Sequence, residues 1–86
     1  MTHVVITGGT RGIGAGLVEE FVKQGCRVTF SGTTDSSVTS SYDRFPEYLN
    51  PDLYKGVVCD VRNNREIETL WDFATQLFGD VDIWIN

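Results

Sequence analysis

A β-branched run that stops on glycine and restarts as a helix leaves a chain few folds to adopt, and "HVVITGGTRGIGAGLVEEF" at residues 3–21 is such a run. Five of the nine glycines fall between Gly8 and Gly16. Glycine inside a regular element costs roughly 0.5–1 kcal/mol relative to alanine, so this density marks a backbone that must turn tightly or approach something closely. A strand that ends there and opens a helix presents unpaired N–H groups and the positive end of the helix dipole, which together favour a phosphate. The spacing after Thr7 is T-G-x-x-x-G-x-G through Gly8, Gly12 and Gly14, not the commoner G-x-G-x-x-G. A loop of the G-x-x-x-x-G-K-[ST] type is excluded, because no Lys-Ser or Lys-Thr pair closes it.

Apolar runs and helical periodicities alternate along the rest of the chain, the pattern of βαβ units on a parallel sheet. Strands are expected at residues 3–7, 26–32, 56–61 and 81–86. The first helix is expected over 12–24, with Ile13, Leu17, Phe21 and Val22 at helical spacing and Gly25 as its stop. Another helix is expected over 63–79, opened by an Asn63/Glu66 capping box and faced by Ile67, Leu70, Trp71, Ala74, Leu77 and Phe78. Residues 33–55, rich in Ser and Thr and holding both prolines, carry no clean period and predict only a short irregular helix. Right-handed crossovers place the helices between strands one, two and three on one face of the sheet. If strand four returns beside strand one, the order is 3-2-1-4 and the 63–79 helix lies on the opposite face. Residues 1–86 then form a single Rossmann-type domain with helices on both faces. Its switch point lies between strands one and four, where open α/β sheets bind ligands beyond the carboxyl ends of the strands.

A net charge of −5 with no run of Lys or Arg argues against nucleic acid and against an anionic membrane surface as partners. Apolar residues at 41% and charged residues at 22% suit an ordinary globular segment. No apolar stretch approaches a membrane span, and Met1 leads directly into the first strand, so a cytoplasmic protein is expected. Cys26 and Cys59 lack CxxC spacing and read as small buried hydrophobes. His3, the one histidine, has no partner at metal-ligand spacing.

Three segments together resemble the short-chain dehydrogenase/reductase family. "TGGTRGIG" at residues 7–14 is similar to its cofactor loop, "CDV" at 59–61 to its adenine-contacting strand end, and "DIWIN" at 82–86 to the start of its Asn-Asn-Ala-Gly segment. The resemblance implies that Gly8, Thr10, Arg11, Gly12, Ile13 and Gly14 line the pyrophosphate and adenosine side of a nicotinamide dinucleotide. It implies that Asp60 bonds the adenine amino group, that Val61 covers the ring, and that Asn86 ends beside a ribose. Taken alone, Asp60 also suits a turn or a helix start, Ile13 a helix core, and Asn86 a strand end. Trp84 stands where the family generally has an aliphatic residue and is similar to chlorophyll b reductase-like members and some bacterial relatives.

The family's catalytic Ser, Tyr and Lys lie beyond residue 86, and no Tyr-x-x-x-Lys occurs in the chain. No catalytic residue is assigned, and the 86 residues alone are expected to be inactive: the cofactor-binding half of an oxidoreductase acting on carbonyl or alcohol groups. The alternatives are a non-catalytic dinucleotide-binding or interaction module and an inactive truncation. NADP(H) is expected over NAD(H). NAD readers place an acid at the end of strand two, where this chain has Gly32 flanked by the hydroxyls of Ser31 and Thr33, and Arg11 resembles the basic residue of NADP-preferring members. A homo-oligomer is expected, because a parallel sheet needs cover on both faces.

Overall fold

Val4, Val5 and Ile6 are at most 1% exposed, because the strand that carries them lies between two others with helices over both faces. The computed structural model describes all 86 residues. In chain order the elements are β1 (His3–Ile6), α1 (Gly12–Lys23), β2 (Arg27–Gly32), α2 (Asp35–Arg44), a 3₁₀ turn (Pro51–Leu53), β3 (Tyr54–Val58), α3 (Asn64–Phe78) and β4 (Ile83–Ile85). The four strands are parallel in the order β3-β2-β1-β4, with β4 returning beside β1. Val4 pairs with Val28 and Ile83, and Phe30 with Ile6 and Gly56.

Side-chain alternation along the strands divides the core in two. Val4, Ile6, Val28 and Phe30 meet Val18 and Val22 of α1 together with Phe45, Leu49 and Tyr54. Val5 and Cys59 meet Leu70 and Ala74 of α3, with Val57, Val81 and Trp84 beside them. His3 belongs to the α3 side and is 1% exposed, its Nε2 2.9 Å from Thr29 Oγ1 and its Nδ1 3.1 Å from the Gly79 carbonyl. A carbonyl only accepts, so Nδ1 carries a proton and donates it to Gly79. No helix is long and apolar enough to cross a membrane.

Three local expectations change. The stretch after β2 forms a regular ten-residue helix, α2, rather than a short irregular one. Thr34 and Ser37 close a reciprocal capping box at its start, while Val38 and Ser41 are buried. β3 runs Tyr54–Val58, so Asp60 and Val61 follow the strand instead of ending it. Ile13 is 85% exposed in the first turn of α1, and the inward face of that helix is set by Val18 and Val22. The helix ends as expected: Gly25 has φ +87°, and the N–H groups of Gly25 and Cys26 return to the carbonyls of Val22 and Phe21 at 2.9 and 3.0 Å.

Candidate functional site

Four parallel strands put their carboxyl ends on one edge, and the turns leaving β1, β2 and β3 enclose a cleft there of about 200 Å³. Gly8, Thr10 and Arg11 form one wall, Ser31, Gly32 and Thr33 the second, and Cys59 and Val61 the third. Seven of those eight residues are sequence candidates; Cys59 is the addition. Its thiol is 2% exposed, and burial pushes its pKa up, with the carboxylates of Glu66 and Asp60 adding to the effect.

The glycine turn is held by β2. The N–H of Gly9 donates to the Ser31 carbonyl at 3.0 Å and that of Gly8 to Ser31 Oγ at 3.4 Å. Ser31 is therefore buried at 1%, and its hydroxyl serves the turn. Gly8 and Gly12 have φ of +72° and +62°, where L side chains are strained, and a Cβ on either would project into open space. A Cβ at Gly14 would instead fall on the carbonyl oxygen of Gly8, so this glycine lets the helix lie against the turn. Gly32 is enclosed as well: a Cβ there would meet Thr10 Cγ2, Ser37 Oγ and Val38 Cγ2.

The helix start in this cleft differs chemically from the other two. Thr34 caps α2, and Asn63 caps α3 by accepting from the N–H groups of Arg65 and Glu66 at 3.0 and 3.3 Å. The residue before α1 is Arg11, which supplies no side-chain cap, and no acid lies in the first turn. The first turn of α1 thus keeps its N–H groups without a side-chain cap, directly after Arg11, which is exposed and lines the cleft. Such a mouth accepts an anion, and the open space at Gly8 and Gly12 lets that anion reach the backbone.

Asp60 and Asn86 are not among the residues that line the cleft. Asp60 accepts from the backbone N, Nε and Nη2 of Arg62 at 3.0, 3.0 and 2.9 Å, and the Arg62 hydrogen bonds hold its carboxyl below the usual carboxylate range. Glu66 is turned the other way from the expected box: its Oε1 accepts the Asp60 N–H at 3.1 Å rather than that of Asn63. Asn86 follows β4, outside the cleft, where its Oδ1 accepts from Trp84 Nε1 at 2.9 Å and from Thr7 Oγ1 at 3.3 Å. Trp84 stacks on Trp71 of α3, ring centroids 5.9 Å apart. Cys59 and Arg62 escape sequence reasoning as site residues, and the one signal for Arg62 is its place two residues after Asp60, within reach of an Asp turn.

Known proteins match both chain and fold. The chain is 37% identical over 84 residues to the chloroplastic chlorophyll(ide) b reductase NOL of rice, Oryza sativa subsp. japonica, aligning 98% of itself with 24% of that protein. It is 35% identical over 82 residues to the 3-oxoacyl-[acyl-carrier-protein] reductase FabG of Haemophilus influenzae, covering 95% of itself and 32% of the relative. A crystal structure of a short chain dehydrogenase from Bacillus anthracis superimposes with a TM-score of 0.86 at 33% identity, over 99% of this chain and 34% of that one. The chain thus spans about a quarter to a third of the length of these proteins. The model of the short chain dehydrogenase family matches residues 2–86, and the chain belongs to that family.

Proposed function

We propose that this chain is the NADP(H)-binding part of an oxidoreductase that interconverts carbonyl and alcohol groups. One observation carries the proposal: Arg11, which immediately precedes the uncapped start of α1, lines one cleft with Thr10, Thr33, Gly32 and Val61. The pyrophosphate lies over Gly8, Gly12 and Gly14 with Ile13 at its side, and the 2′-phosphate meets Arg11 and the hydroxyls of Thr10 and Thr33. Asp60 and Val61 take the adenine, and Asn86 lies toward a ribose. The enclosure of Gly32 supports NADP(H) over NAD(H), because an acid cannot be built at that position without displacing Thr10 or Ser37. The bound cofactor supplies hydride exchange at its nicotinamide ring; this chain's residues bind and orient it, and no residue in it is assigned to proton transfer.

The test is calorimetric titration of the chain with adenosine 2′,5′-bisphosphate and with adenosine 5′-monophosphate. The bisphosphate binds more tightly, and Arg11→Ala weakens it by about ten- to a hundredfold, the value of one charge-assisted hydrogen bond, with the monophosphate little affected. Equal affinities for the two ligands overturn the NADP(H) preference. Absence of binding by either overturns the cofactor site.

A further inference from the structure

We infer that Arg62 is a positioning residue for base recognition: by taking three of the four acceptor positions of the Asp60 carboxylate, it leaves one, on Oδ2, for the amino group of an adenine. The inference rests on the cofactor site proposed above and adds a residue to it. A carboxylate offers two acceptor positions on each oxygen. Oδ1 accepts both the backbone N–H and the Nε–H of Arg62, each at 3.0 Å, and is full. Oδ2 accepts Nη2 at 2.9 Å and keeps one position. The main chain of Asp60 is engaged as well, its N–H with Glu66 Oε1 at 3.1 Å and its carbonyl with the Asn63 N–H at 3.0 Å.

Asp60 lies between two residues that line the cleft, Cys59 and Val61. The N–H of Val61 bonds to no backbone carbonyl in the chain. The rim therefore presents one donor and, next to it, one acceptor whose direction the planar guanidinium fixes. Adenine offers the complement, an acceptor at N1 beside a donor amino group at N6. Hypoxanthine reverses both, with a carbonyl oxygen facing the carboxylate and an N–H facing the Val61 N–H. Without the Arg62 side chain the carboxylate keeps only the backbone N–H of residue 62 on Oδ1, has free acceptor positions on both oxygens, and distinguishes the two bases less well. The Arg62 side chain is 87% exposed, so its pair with Asp60 contributes little to stability and its removal leaves the fold in place.

Titration of wild type, Arg62→Ala and Arg62→Lys with adenosine 2′,5′-bisphosphate and inosine 2′,5′-bisphosphate tests this, with each fold checked by circular dichroism. Wild type prefers the adenosine ligand by about tenfold or more, the worth of one hydrogen bond to a charged group. In Arg62→Ala the ratio falls to within about twofold through lost adenosine affinity, and Arg62→Lys, whose point charge cannot form the fork, behaves the same way. A merely structural role would weaken both ligands together and leave the ratio unchanged. A wild-type ratio retained in either folded variant overturns the inference and leaves the cofactor site standing, whereas a wild-type chain that binds neither ligand overturns both.

Discussion

A methyl group at Gly14 would collide with the carbonyl oxygen of Gly8, while one at Gly16, two residues on, would meet nothing within 4 Å. The two glycines share a motif and differ in what they face. Gly14→Ala is expected to lower stability by about 1–3 kcal/mol, the usual cost of overpacking. Gly16→Ala, in the body of a helix, is expected to raise it by about 0.5–1 kcal/mol. Urea midpoints of both variants check the pair, and equal shifts would contradict the assigned contacts. Cys59 supplies a pH prediction. Its folded-state pKa is raised by burial and by the nearby carboxylates, so the stability tied to its protonated thiol is present below the ordinary thiol range. That stability is lost as pH rises from that range through the raised value. Urea unfolding across the alkaline range should show this loss in wild type and a smaller one in Cys59→Ala. With Ellman's reagent at neutral pH, Cys59 is expected to react only as the chain unfolds, because 2% exposure withholds the thiol.

Helices α2 and α3 hold to the sheet by different means. Serine, threonine, tyrosine and charged residues fill all of α2 except Val38, so its stability comes from the Thr34–Ser37 box and from what it places inside. Tyr42 lies against Phe30 and Tyr54, with ring centroids 6.0 and 5.9 Å away, and its hydroxyl accepts the Gly56 N–H at 2.7 Å. Thr34→Ala is expected to cost about 1 kcal/mol, as is Asn63→Ala at the start of α3. Leu70 is fully buried and, with Ala74, supplies the buried residues of α3. Leu70→Ala is expected to cost about 2–5 kcal/mol, a large part of what a domain this small possesses. Thermal melts followed at 222 nm would rank the three variants, and a Leu70→Ala melt no lower than that of Thr34→Ala would sink the ranking.

Across the whole molecule the two sheet edges are unlike. Tyr42 satisfies an N–H of β3 at one edge, whereas β4 pairs only with β1 and has no strand on its other side. On that side Ile83 of β4 and Trp71, which stacks on Trp84, are 40% and 45% exposed. Apolar surface of this kind beside an open strand edge promotes association. The chain is expected to self-associate at roughly tens of micromolar in sedimentation equilibrium, and Ile83→Lys to reduce it by placing a charge on the edge strand. A compact monomer throughout that range would refute the expectation.

Local signals within a few residues of one another were sufficient for the glycine turn, the Gly25 stop and the span of α3. Turn chemistry and helix stops act over that range and do not depend on the rest of the fold. The same holds for most of the cleft, since residues that end parallel strands must share an edge. Tertiary structure alone decided the matters in which one segment meets another. Helical spacing places Ile13 in the apolar series of α1, but the angle at which the helix lies on the sheet turns it outward and Val18 inward. The polar sequence of α2 has no period of its own; it becomes a regular helix because Phe30, Tyr54 and Gly56 give its few inward residues partners. Cys59 reaches the cleft, and Glu66 leaves its expected cap for the Asp60 N–H, because the chain turns between β3 and α3. These outcomes follow from distances across the fold, which residue type and spacing do not encode locally.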